Sequence, residues 1–175
     1  MTDERYPIGR YTPVSALSTA ERVASIEQIA AVPANFRRAV AGLDDSQLDT
    51  PYRTGGWTVR QLAHHLPDSH MNAYMRFKWG LTEHNPAIKP YEEKDWAKTP
   101  ETRAPIAMSL DLLTALHQRW VTLLRGMSPA DFARTIQHPE WGTPSLDTML
   151  ALYAWHGRHH TAHVTALRQR LGWGD

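Results

Sequence analysis

Apolar positions recur at helical spacing in four stretches of the chain and alternate convincingly in none. Val23, Ile26, Ile29, Ala30, Val40 and Leu43 mark a first amphipathic helix over about 19–41. Ser18-Thr19-Ala20-Glu21 forms a capping box at its start, with Leu17 as a staple residue, and Gly42 stands at its end. Pro33 predicts a bend within it. Before it, residues 1–16 carry Pro7, Gly9 and Pro13 without periodicity and read as an extended arm.

A second helix is expected from Trp57-Thr58 to about residue 80, on the stripe Val59, Leu62, Leu66, Ala73 and Phe77. Pro67 should kink or split it. Residues 44–56 form a loop with at most one helical turn. From Asn85 a proline-rich stretch reads as a long, mostly irregular connection, and such loops are often functional. Ile106, Leu110, Leu113, Trp120 and Leu124 give a third helix to Arg125, ended by Gly126. Ser128-Pro129-Ala130-Asp131 starts a short one. Thr143-Pro144 opens the fourth, as a cap followed by proline, and it carries Leu146, Met149, Leu150, Tyr153, Val164, Leu167 and Leu171. Four long helices with short satellites predict an all-α four-helix bundle, one domain over residues 1–175.

The fourth helix bears four histidines in the stretch YAWHGRHHTAHV. Measured from His156, the residues Met149, Tyr153, His160, Leu167 and Leu171 lie within about 60° on one side. His156 and His160 therefore sit inside the apolar stripe, His159 turns away from it, and His163 sits at its edge. Two imidazoles on a core face cost free energy unless paired or bound to something. The i, i+4 spacing lets both reach one metal ion; the alternative is a pair hydrogen-bonded to tyrosine, tryptophan or backbone.

A third ligand should come from the facing second helix. There His65 flanks the stripe and is followed on the same strip by Ser69, Asn72 and Arg76, whereas His64 points away. Both could equally belong to a polar surface. His117 falls on the apolar side of the third helix with Leu113 and Trp120, as a core histidine or a substrate contact. Periodicity does not assign His70, His84 or His138.

Composition narrows the partners. Nineteen Lys and Arg against eighteen Asp and Glu give a net charge of +1, and no basic run points to nucleic acid. The N-terminus lacks the apolar core of a signal peptide and no segment is apolar enough to span a membrane, so a cytoplasmic location is the expectation. There is no cysteine, hence no thiolate ligand or nucleophile.

Taken together, YPIGRY, GGWTVRQLAHHLPDSHMNAYMRFK, IKPYEEKDW and LALYAWHGRHHTAHV resemble the YfiT group of the DinB-like superfamily over nearly the whole chain. The resemblance implies an up-down-down-up bundle, usually a homodimer, holding one divalent zinc or nickel ion on His65, His156 and His160. Pro67 departs from the family, which more often has alanine there. Members are labelled metal-dependent hydrolases, and close relatives are bacillithiol S-transferases.

Three protein ligands leave an open coordination position. In the hydrolytic reading the ion activates water, and Asp68, one turn after His65, is the carboxylate close in sequence. In the transfer reading the ion holds a low-molecular-weight thiol, with Asn72, Arg76 and Arg158 facing its carboxylates. Ser69 and His117 complete the expected substrate contacts. A non-catalytic module stabilised by its metal is the third reading.

Overall fold

A computed structural model describes residues 3–174; the first two residues of the expected arm, and the last residue of the expected domain, lie outside it. Its elements are α1 (Thr19–Val40), α2 (Asp45–Leu48), α3 (Val59–Thr82), α4 (Glu93–Trp96), a 3-10 turn (Pro100–Arg103), α5 (Ala107–Arg125), α6 (Pro129–Phe132) and α7 (Leu146–Leu171). Among the described residues there is no strand, only isolated bridges.

The caps explain most boundaries. Ser18, Asp44, Thr58 and Ser128 each accept from the backbone N–H three residues on, and the residue there reaches back, so all four are capping boxes. Gly172 closes α7 with φ 65°, a conformation that glycine adopts without strain. The start of α7 differs from expectation. Ser145, not Thr143, is the cap, accepting from Thr148 N at 3.2 Å. The Pro144 carbonyl is instead taken by Ile136 N in an irregular pairing with the preceding loop. Pro67 does not split α3, which continues through it with the proline buried.

Contacts between the four long helices fix their directions. Asp147 at the start of α7 binds Arg22 through both carboxylate oxygens at 2.7 Å, and Arg168 near its end reaches the carbonyls of Ala39 and Ala41. Helices α1 and α7 are thus parallel. His64 meets Ser109 while Phe77 meets Trp120, so α3 and α5 are parallel too. Arg76 against Tyr153 and His65 against His160 run α3 antiparallel to α7. The bundle is up-down-down-up, and the long connection between α3 and α5 is what allows them to run in the same direction.

The core is in two parts. Ile26, Ile29, Phe77, Trp120, Met149, Leu150 and Tyr153 belong to one cluster; Val32, Phe36, Leu62, Leu66, Leu113, Val164 and Leu167 belong to the other. Along α5 and α7 the histidines fall between the residues of the two clusters, and on α3 His70 does the same. Where α1 crosses α7, Gly157 is required: a Cβ there would lie 2.4 Å from Cγ2 of Val32.

Candidate metal centre

On α7 the i, i+4 spacing brings Nε2 of His160 within 3.0 Å of Nε2 of His156. His65, from α3, faces both across the bundle, with ring centroids 5.5 Å from His156 and 4.9 Å from His160. One nitrogen from each of the three lies within 4.8 Å of the other two. The Trp57 ring packs over His65 at 4.6 Å. His65 and His160 are buried and His156 is partly buried.

Burial also sets their charge. It pushes His65 down to about 3 and holds His156 and His160 well below the usual histidine value, with the neighbouring imidazoles adding to the effect. The cluster is therefore three neutral nitrogen donors. The 3.0 Å separation on α7 is close to the roughly 3.3 Å expected between two nitrogens at tetrahedral zinc bond lengths. The donor set fits a borderline ion such as zinc or nickel.

Behind His156 lie two further histidines. His70 Nε2 is 3.0 Å from His156 Nδ1, and His70 Nδ1 is 2.7 Å from His117 Nε2. His117 Nδ1 is 2.8 Å from the Ile29 carbonyl. Sequence periodicity left His70 unassigned, although it sits four residues after Leu66 and three before Ala73, on the helix's own stripe. His117, expected as a core residue or a substrate contact, is the former: it is 2% exposed, and both ring nitrogens are occupied inside the bundle.

The polar row after His65 is only partly gathered. Asp68 is partly buried, and burial, reinforced by Glu101, raises its carboxyl to about 6. Asn72 spends its side-chain N–H on the Asp68 backbone carbonyl. Ser69 is buried beside the Tyr91 and Tyr153 hydroxyls. Arg76 is buried and donates to the Tyr153 hydroxyl at 3.2 Å, leaving Nε without a partner. Arg158, expected to face the substrate, does not join this row: it is exposed, donates to the Ala154 carbonyl of its own helix, and lines an outer groove between α1 and α7.

Three histidines expected to point outward or to a rim are covered. His64 does face away from the cluster, but it is buried, 2.7 Å from Ser109 Oγ and 3.1 Å from the Ala104 carbonyl. His159 is buried under a stacked Trp155 at 4.2 Å with Tyr6 nearby, and His163 is buried against Tyr52 at 4.1 Å. Tyr6 of the N-terminal arm and Tyr52 and Ala104 of the loops supply part of this cover, which a helical wheel cannot see; Ser109 of α5 and Trp155 of α7 itself supply the rest. His159, His160 and His163 also bring nitrogens within 4.8 Å, but this group shares His160 with the first and draws all three of its donors from α7.

The sequence profile of the DinB superfamily matches residues 28–164. A protein of Bacillus mycoides (strain KBAB4) named "Putative metal-dependent hydrolase" is 53% identical over 173 residues, 99% of this chain and 100% of that one. A Bacillus cereus (strain B4264) protein of the same name is 51% identical over the same span. Among solved structures, YfiT from Bacillus subtilis, described as "a probable metal-dependent hydrolase with an unusual four-helix bundle topology", superposes with a TM-score of 0.95 at 47% identity, covering 99% of this chain and all of that one. TT2238, a four-helix bundle protein, shares the fold alone at TM-score 0.58 and 19% identity, over 83% of this chain and 98% of its own.

Proposed function

The chain belongs to the DinB superfamily, and on that premise we propose that it is a metal-dependent hydrolase of a small-molecule substrate, with its ion held by His65, His156 and His160. The observation that carries the proposal is the meeting of three uncharged imidazole nitrogens within 4.8 Å of one another, contributed by two helices. Zinc is the ion assigned, because three histidines and one open position make its usual catalytic shell. Bound by His65, His156 and His160, such an ion would supply Lewis acidity and a water of lowered pKa.

The protein's own groups do the rest. Asp68, with its carboxyl raised to about 6, changes protonation close to neutrality and is the group assigned to accept and return a proton. Arg76 is a buried cation with no acidic partner among the described residues, so it attracts negative charge on the substrate. Ser69 is buried beside the Tyr153 hydroxyl that accepts from Arg76, and Asn72 lies one turn before Arg76 on α3; they are assigned to the same substrate face. Trp57 over His65 keeps bulk water from that side of the site. The assembly is proposed as a homodimer in the cytoplasm.

The test is to quantify metal in the purified protein and assay ester and amide substrates with and without added low-molecular-weight thiols. Thiol-independent hydrolysis that chelation abolishes, zinc restores and His65→Ala removes is expected. Turnover of an electrophile such as monochlorobimane only when a thiol is added would replace hydrolysis by S-transfer. Metal bound at one ion per chain without any turnover would make the bundle a binding module.

A further inference from the structure

An α-helical carbonyl accepts from the N–H four residues on. For Ile29 that residue is Pro33, which has no N–H. The Ile29 carbonyl, deep in α1, is thereby released from the helix, and His117 of α5 reaches it at 2.8 Å.

The remaining hydrogen bonds follow one from another. A carbonyl only accepts, so His117 Nδ1 carries the proton, and a neutral imidazole has only one N–H. His117 Nε2 is therefore a lone pair, and His70 Nδ1, 2.7 Å away, must donate to it. That leaves His70 Nε2 as a lone pair, to which His156 Nδ1 donates across 3.0 Å. His156 Nε2 is then unprotonated and faces His160 Nε2. A cationic His70 would reverse the last step. It is 0% exposed, however, and its ring nitrogens face only other imidazoles, so a charge there would be buried without a counterion.

We propose that Pro33, through the Ile29 carbonyl it frees, together with His117 and His70, forms a positioning relay that holds His156 in the tautomer with its Nε2 lone pair turned to the metal centre. The relay readies one ligand only: His160 Nε2, 3.0 Å from the His156 lone pair, donates to it in the metal-free protein, and His160 Nδ1 is buried with no partner. His156 is thus a preset donor, while His160 must shift its proton to Nδ1 when the ion arrives. Partners of this kind raise a ligand's basicity as well as orienting its ring.

The consequence for metal affinity rests on His156 being a ligand, whereas the tautomer itself does not, which separates the two tests. In the metal-free wild-type protein, long-range 1H–15N correlation spectra should show His156, His70 and His117 as Nδ1–H tautomers. Finding the proton on Nε2 of His156 overturns the relay whatever the protein's activity. In His117→Leu, checked for folding by circular dichroism, zinc competition against a chromophoric chelator should show binding weakened about ten- to a hundredfold at unchanged stoichiometry. Wild-type zinc affinity in that variant also overturns it. If the variant does not fold, the wild-type spectra decide alone. A wild-type protein that binds no zinc defeats the functional reading and leaves the tautomer result standing.

Discussion

Acidification of the metal-free protein gives the sharpest test of the buried histidines. In the unfolded chain each titrates near 6.5. In the fold, burial pushes His65 and His163 down to about 3 and His117 and His159 down to about 4. Their folded values are depressed, so the unfolded state takes up protons first as pH falls below 6.5. The stability they allow is complete above that value and is lost below it, down to about 3–4. Between pH 7.5 and 5.5 each group costs about 1.3 kcal/mol, so the four together cost about 5 kcal/mol. Asp68 works the other way. Its raised carboxyl, at about 6, returns at most about 0.8 kcal/mol over the same interval, because its partial exposure screens the effect. The net loss from these five groups alone, about 4 kcal/mol, is a large fraction of a typical domain's stability, and the depressed His64, His70, His156 and His160 add to it. The assay is urea unfolding in EDTA at the two pH values, followed by the fluorescence of the seven tryptophans. An unfolding free energy at pH 5.5 within 1 kcal/mol of that at pH 7.5 would refute the claim that these imidazoles are held neutral by burial.

Zinc at a hundred times its Kd should stabilise the fold by about 2.7 kcal/mol and raise Tm by roughly 5–10 °C in a calorimetric scan, and EDTA should reverse the shift. Gly157→Ala places a methyl 2.4 Å from Val32 Cγ2. It should destabilise by about 1–3 kcal/mol despite the better helix former, with much of the loss recovered by adding Val32→Ala, as read by a double-mutant cycle in urea. Asp147→Ala removes a buried carboxylate that holds Arg22 and the Leu17 N–H, and should cost about 2–3 kcal/mol in the same assay. By contrast, Arg37→Ala, at the exposed pair with Asp111, should leave Tm unchanged.

Helix positions were legible because the chain punctuates them with local chemistry. Ser18, Thr58, Gly126 and Ser128 act within one turn, and the apolar spacing of each helix is its own. The pair His156 and His160 was legible for the same reason, since one helix determines their relation. What a helical wheel misses is covering by groups off the helix's own apolar stripe, whether from another segment or from a bulky neighbour on the same helix. His64 reads as turned away, yet the Ala104 carbonyl and Ser109 close over it; His159 reads as outward, yet Trp155 and Tyr6 lie against it. Pro33 reads only as a bend. Its effect on the Ile29 carbonyl depends on His117, 88 residues further on, which no local pattern connects to it. Arg158 fails for a simpler reason: nearness in sequence to His156 and His160 says little about direction when 100° separates successive residues.

The two-part core has a consequence for cooperativity. Most bundles transmit stability from end to end through continuous apolar packing, whereas here the apolar clusters are separated by a belt of imidazoles whose mutual bonds are single and directional. Each cluster is thus a candidate unit of partial opening. An ion held by α3 and α7 in that belt would tie the halves together. Amide exchange should then show two protection levels in the metal-free protein, one on each side of the belt, merging toward a single level when zinc is added. In that sense the proposed metal centre would also be the joint that makes one folding unit out of two.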